Sequence, residues 1–230
     1  MRSASMGRNY TVAQLAYPRR MPSTSEKSAV ARSGKVVMFD LGGVLIENNG
    51  RQALTAMMPR PLAAAEMWRK WLDSPVVKQF ERGRSNAEDF ASAFVAEWGI
   101  AMDPAAFIGE FATWPRGLYD GAEALLARLK VRHHLACLSN TNAIHWARFP
   151  QLHALFDSSF LSHEIGHVKP DPEAFEYALA QLGVPPGEVW FFDDLAPNVE
   201  AARAAGMNAF RVDGFEAIAP ILRSERLLRD

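Results

Sequence analysis

Asp40, Ser139, Asn140, Lys169, Asp193 and Asp194 are the residues whose types and placing suit chemistry on a phosphate group. Asp40 ends the apolar run Val36–Phe39, Ser139-Asn140 ends the run His134–Leu138, and Asp193-Asp194 ends the run Val189–Phe192. Lys169 opens the turn sequence Lys169-Pro170-Asp171-Pro172. Singly, each has an ordinary reading: a strand-end Asp caps a helix, Ser-Asn makes a turn, and a Lys before Pro is solvated. Together they make a complete set of three carboxylates, a hydroxyl and a lysine. Carboxylates gathered at that density repel one another unless a cation sits among them, and hard oxygen ligands favour Mg²⁺. A lysine and a hydroxyl beside such a cation suit a phosphate group.

The elements that must position this set are legible as short continuous apolar runs, the pattern of strands buried on both faces of a parallel sheet. From Gly121 onward such runs alternate with helical patterns: Ala122–Lys130, His134–Leu138, Phe156–Ser162, the helix after Pro172 up to Gly183, Val189–Phe192, an Ala- and Arg-rich helix stopping at Gly206, and Ala209–Val212. This rhythm predicts an α/β fold with a mostly parallel sheet. In such a sheet ligands sit beyond the carboxyl ends of the strands, so the three polar clusters converge there although they lie far apart in sequence.

Between the first strand and this alternation lies a long helical block, from Leu54 to about Ala112. Ser85 followed by Glu88 fits a capping box, Phe90, Phe94 and Trp98 recur on one helix face, and Asp103-Pro104 starts a further helix. Trp68, Trp71, Phe94 and Trp98 read as core of this block in preference to substrate-stacking groups. The expected organisation is a flexible tail over 1–34, an α/β core made of 35–50 and 116–230, and an inserted helical unit over 51–115.

The chain has 230 residues, of which 49% are hydrophobic, and 25 basic against 26 acidic residues. That balance provides no general attraction for nucleic acid or an anionic membrane. No stretch approaches the apolar length of a membrane span. The lone Cys137 excludes an intramolecular disulfide and a cysteine-rich metal site; flanked by Ala136 and Leu138 it reads as a small buried hydrophobe. A cytoplasmic, reducing location is the natural expectation. Residues 1–34 hold six basic residues against Glu26 alone, with many Ser and Ala. They read as a flexible tail or an over-long start, with an organellar transit peptide as the alternative.

Asp40-Leu-Gly-Gly-Val-Leu, Leu138-Ser-Asn-Thr-Asn, Lys169-Pro-Asp-Pro-Glu-Ala-Phe and Phe191-Phe-Asp-Asp-Leu-Ala-Pro-Asn, in that order, resemble the four motifs of the haloacid dehalogenase (HAD) superfamily. The resemblance spans about residues 35–213 and is nearest to the subfamily IA-like group with a D-L-G-G first motif, which includes sugar-phosphate phosphatases similar to α-glucose-1-phosphate phosphatase. It implies a Rossmann-like core with a helical cap inserted after the first strand, closing over the site. It implies Asp40 as the nucleophile that becomes an aspartyl phosphate, Ser139 and the Asn140 backbone N–H as phosphate-binding groups, and Lys169 as the lysine that neutralises charge on the nucleophile and the phosphoryl oxygens. Asp40, the Gly42 carbonyl, Asp193 and Asp194 are the implied Mg²⁺ ligands, Asp193 being a second ligand or an orienter of bound water. Asn198 falls where relatives carry a further supporting group. Cap residues Trp68, Trp71, Phe80, Arg82 and Trp114 are candidates for contact with the leaving group.

One position departs from the main pattern. Most such phosphatases carry a second Asp two residues after the nucleophile, which protonates the leaving oxygen and then activates water; here the position is Gly42. Three readings stay open. The chain is a Mg²⁺-dependent phosphatase of a small phosphomonoester, with Glu47, His145 or His163 as candidate substitutes for the missing group; or a metal-independent 2-haloacid dehalogenase-like hydrolase; or a catalytically degenerate binding protein. Oligomeric state is not legible.

Overall fold

The structure, a computed structural model, describes residues 35–60 and 62–229; the tail expected over 1–34 lies outside the described residues. The chain runs β1 (Val36–Phe39), β2 (Ile46–Asn48), α1 (Gly50–Met57), α2 (Ala64–Asp73), α3 (Pro75–Glu81), α4 (Ala87–Trp98), α5 (Pro104–Phe111) and β3 (Pro115–Leu118). It continues with α6 (Ala122–Lys130), β4 (His134–Ser139), α7 (Ala143–Trp146), α8 (Leu152–Leu155), β5 (Ser158–Leu161), α9 (Ser162–Ile165) and α10 (Pro172–Leu182). The last elements are β6 (Val189–Asp193), α11 (Ala196–Ala204), β7 (Asn208–Arg211) and α12 (Ile218–Ser224).

Five strands form one sheet in the order β5-β4-β1-β6-β7, and every pairing in it is parallel. The α/β expectation holds because successive side chains point to opposite faces and both faces are covered. Val37, Phe39, Leu135, Cys137 and Phe192 pack with Leu126 and Leu129 of α6 and Leu222 of α12. Val36, Met38, Ala136, Leu138 and Phe191 pack with Phe175 and Ala178 of α10 and Val199 of α11. Each fully buried large side chain stabilises the fold by roughly 1.5–3 kcal/mol, so β1, buried at all four residues, is held firmly from both sides. Burial pushes the Cys137 thiol up to about 12, which leaves it the inert small hydrophobe expected from its neighbours.

Helices α1 to α5 carry a separate apolar cluster that includes Leu54, Met67, Val77, Phe90, Phe94, Trp98 and Phe107. Phe80 and Phe90 stack with ring centroids 3.9 Å apart, and Trp71 meets Phe94 and Trp98 edge-on. The core reading of Trp71, Phe94 and Trp98 therefore holds, whereas Trp68 is 40% exposed and lies outside the core. The expected capping box at Ser85 does not form: Asn86 caps α4, its Oδ1 accepting from the Asp89 N–H at 2.8 Å while its Nδ2 donates to the Asp89 carboxylate at 2.8 Å. An amide can both accept and donate, so Asn86 binds Asp89 twice, which the adjacent Ser85 hydroxyl is not placed to do. A two-stranded antiparallel ribbon of β2 and β3 was not expected from the sequence; it joins the chain just before the helical block to the chain just after it. Among the described residues no helix is long and apolar enough to cross a membrane.

Candidate active site

Asp40 leaves β1 with its backbone N–H still bonded to the Phe192 carbonyl at 2.9 Å, so the residue is fixed by the sheet although it stands just beyond it. The chain then folds sharply back. The Leu41 carbonyl accepts from the N–H groups of Leu45 and Ile46 at 2.9 and 2.7 Å, and the Gly43 N–H donates to the Ile46 carbonyl at 2.8 Å. Gly43 has φ +79, and a Cβ there would lie 2.9 Å from Asp194 Oδ2. The turn and the approach of Asp194 both require a residue without a side chain at that position. Gly42 is different, since a Cβ would meet only Asn48 Nδ2 at 3.5 Å, an ordinary contact.

The strand ends converge as the topology demands. Lys169 Nζ lies 2.9 Å from Asp40 Oδ1 and 2.6 Å from Asp193 Oδ2, and the residue is only 3% exposed. Its backbone is clasped by one side chain: Asn140 Oδ1 accepts from the Lys169 N–H and Asn140 Nδ2 donates to the Lys169 carbonyl, each at 2.8 Å. Asp193, fully buried, also accepts from the Leu195 N–H at 2.9 Å and from Asn198 Nδ2 at 2.9 and 3.0 Å. Ser139 ends β4 as a buried residue. Ser162 braces the next turn, accepting from the Thr141 N–H and donating to the Thr141 carbonyl, both at 2.9 Å. Oxygens of Asp40, Asp193 and Asp194 lie within 4.8 Å of one another, close enough to share a cation. Gly42, Ser139 and Asn140 line a small adjoining cleft of about 50 Å³ together with Asn48, Pro115 and His145.

The electrostatics express an excess of negative charge. Burial raises the Asp40 carboxyl, with Lys169 opposing and Asp193 adding to the rise. Burial and repulsion from Asp40 and Asp193 push Asp194 up to about 7. Burial alone would pull Lys169 down, but Asp193 and Asp40 outweigh it and hold the ammonium charged well above the ordinary lysine value. Three carboxylates thus face one ammonium, and Asp194 tends toward its neutral form for want of a further positive charge. A divalent cation fits this donor set, which is all oxygen and short of one counter-charge.

The two histidines weighed as substitutes for the missing acid are held neutral by burial. His145 has both ring nitrogens occupied, Nε2 by the Phe111 carbonyl at 2.8 Å and Nδ1 by Asn142 Nδ2 at 3.2 Å, and burial lowers it to about 4. Burial likewise lowers His163 to about 4. Glu47 is exposed on β2. Of the aromatic and basic groups weighed for contact with the leaving group, Phe80 and Trp114 are buried in the helical cluster and Trp71 packs against it, Trp68 is exposed, and Arg82 pairs with Asp171. Between Phe80 and Arg82 stands Glu81, which sequence reasoning passed over. Burial raises its carboxyl to about 7 while the Trp71 N–H bonded to it and the charge of Lys169 pull it down and Asp40 adds to the rise. No local pattern marks Glu81, because its position is set by how α3 packs against α9.

The comparisons with known proteins agree with this geometry. The family model of the haloacid dehalogenase-like hydrolases matches residues 35–206. The chain is 27% identical over 191 residues to D-ribitol-5-phosphate phosphatase of Bacteroides thetaiotaomicron, spanning 77% of this chain and 91% of that protein. It is 30% identical over 188 residues to a phosphatase of Mycobacterium tuberculosis, spanning 77% and 86%. A HAD family enzyme of Bacteroides thetaiotaomicron, crystallised with magnesium and inorganic phosphate, shares the fold with a TM-score of 0.67 at 23% identity, over 82% of this chain and 99% of that one. Matched over three quarters of its length and with the four motifs gathered at the strand ends of a parallel sheet, the chain belongs to the haloacid dehalogenase-like hydrolases.

Proposed function

We propose that the chain is a Mg²⁺-dependent phosphatase of a small phosphomonoester, a sugar phosphate foremost, working through an aspartyl phosphate on Asp40. The observation that carries this reading is the buried contact of Lys169 with Asp40 and Asp193 beside the Asp194 carboxylate. Asp40, the Gly42 carbonyl and Asp194 would hold Mg²⁺, which when bound supplies the counter-charge that the three carboxylates lack. Asp193 has its oxygens engaged by Lys169, Asn198 and the Leu195 N–H. We assign it chiefly to holding Lys169, with metal contact secondary or through water.

Asp40 is suited to attack because the sheet fixes its backbone and Lys169 fixes one carboxylate oxygen, leaving the other oxygen to meet phosphorus. The P–O bond to the leaving group breaks and a phosphorus bond to the carboxylate forms. Lys169 neutralises charge on the phosphoryl oxygens in flight, and Ser139 with the Asn140 N–H binds them; such pre-placed donors are the largest source of rate in phosphoryl transfer. Residues 51–115 act as a cap that covers the leaving group and excludes water. A sugar-phosphate class is supported by the kinship with an enzyme of D-ribitol-5-phosphate, and the inert, reduced Cys137 fits a cytoplasmic setting.

The absence of a side chain at Gly42 favours one rival, a metal-independent dehalogenase. Release of inorganic phosphate from a panel of phosphomonoesters with Mg²⁺ separates the two. Phosphate release is expected, falling at least about 10³-fold in Asp40→Asn and ceasing with EDTA. No release above that of Asp40→Asn refutes the phosphatase reading; halide release from 2-haloacids insensitive to EDTA establishes the rival.

A further inference from the structure

We propose that Glu81, delivered by α3 of the inserted helices, is the general acid and base that Gly42 cannot be. The inference rests on the phosphatase reading above and assigns the proton transfers that reading leaves open.

The placement of Glu81 is fixed by the two residues that follow it. Arg82, the next residue, pairs with Asp171, two residues after the lysine that touches the nucleophile. Gly83, at φ +67, packs so tightly that a Cβ would lie 2.2 Å from the backbone oxygen of His163. His163 belongs to α9, whose first residue, Ser162, braces the turn after β4. The end of α3 is therefore pinned to two of the loops that carry the site. Just before those pins, the Glu81 carboxylate lies within electrostatic reach of both Lys169 and Asp40 and is steadied by the Trp71 N–H from α2. It is brought there by the inserted helices and not by the sheet that carries Asp40.

Its environment supplies the proton. A carboxyl near 7 is populated in both forms around neutrality, which is what a group that must give and then take a proton requires. The charged or polar groups facing it are Trp71 on α2, Lys169 before α10 and Asp40 after β1. His145 and His163 are neutral and engaged or enclosed, and Glu47 is exposed.

The two steps balance. As an Asp40 oxygen bonds to phosphorus and the P–O bond to the leaving group breaks, the protonated Glu81 transfers its proton to the departing oxygen. Glu81, now a carboxylate, then takes a proton from water as that water bonds to phosphorus and the bond from phosphorus to Asp40 breaks. Phosphate leaves, and Asp40 and Glu81 return to their starting forms.

The test uses the full chain with Mg²⁺, the variant Glu81→Gln, and two substrates. The first is 4-nitrophenyl phosphate, whose leaving group departs without a proton; the second is an alkyl or sugar phosphate, whose oxygen must be protonated. Glutamine keeps the acceptor for Trp71, so the packing survives. Turnover of the alkyl ester is expected to fall about 10²- to 10⁴-fold. The first-turnover burst with 4-nitrophenyl phosphate should persist, phosphorylated protein should accumulate, and the limb of the pH–rate profile near neutrality should vanish. An equal loss on both substrates without accumulation would make Glu81 a structural group, and unchanged rates and pH profile would exclude it altogether; either overturns the proposal. Absence of phosphate release by the unmodified protein is a different failure, that of the phosphatase reading itself.

Discussion

Replacing Lys169 by Met removes a charge while keeping the length of the side chain, and its cost follows from the geometry. The ammonium lies 2.9 Å from Asp40 and 2.6 Å from Asp193, with the lysine 3% exposed. Removing one partner from a buried charge cluster leaves the others uncompensated and costs about 3–5 kcal/mol. That is a large share of the roughly 5–15 kcal/mol that holds a domain together. The Asn140 clasp acts on the Lys169 backbone and is untouched by the change, so the loss is electrostatic and the loop keeps its course. Urea denaturation in EDTA at neutral pH should show the full effect, and Mg²⁺ should return part of it by supplying positive charge. Adding Asp193→Asn to Lys169→Met removes one of the stranded carboxylates, so the double variant should be more stable than the single one, a coupling that a double-mutant cycle reads directly. A loss below about 1 kcal/mol, the size expected of a solvent-exposed pair, or strictly additive behaviour would refute the argument that this ammonium is desolvated and shared.

Two further outcomes are expected. Because burial and neighbouring carboxylates raise folded Asp194 to about 7 from its ordinary 3.8, the metal-free folded state binds the proton more tightly than the unfolded chain. Its contribution to stability is therefore lost as pH rises from about 4 toward about 7, amounting to a few kcal/mol at most. In EDTA, Asp194→Asn should gain stability relative to the unmodified protein between these limits in urea titrations, and a constant difference would refute the assignment. Gly43→Ala forces a side chain into φ +79 and to within 2.9 Å of Asp194 Oδ2, costing about 1–2 kcal/mol and displacing a proposed metal ligand. Calorimetric Mg²⁺ affinity should fall at least about tenfold, and unchanged affinity would show that Asp194 does not need its present position.

The sheet was legible because its strands are buried on both faces, so that Val36–Phe39 and Val189–Phe192 stand out as apolar runs that stop at polar residues. The gathering of Asp40, Asp193 and Asp194 followed from the rule that parallel strand ends share one edge, and Lys169 joins them from the loop that opens α10. The β2–β3 ribbon was not legible, since its strands are three and four residues long and contain Glu47, Asn48, Arg116 and Gly117 in no alternating pattern. The cap of α4 slipped by one residue because Ser85 and Asn86 are both capping types and only the bidentate contact with Asp89 decides between them. Glu81 was overlooked for a deeper reason. It is one charged residue in a charged stretch, and what distinguishes it is the contact of Arg82 with Asp171 and the packing of Gly83 on His163, which are long-range facts.

The Asn140 clasp explains how a residue carried by a connecting segment can act with the exactitude of one on a strand. Segments between elements sample many backbone states, and freezing one residue costs about 1–2 kcal/mol in conformational entropy. One amide plane holds both the N–H and the carbonyl of Lys169, so that entropy is surrendered once, when the chain folds, and not at every encounter with substrate. Asn140 thereby does for the lysine what β1 does for Asp40: it turns a mobile position into a fixed point against which a reacting atom can be aligned.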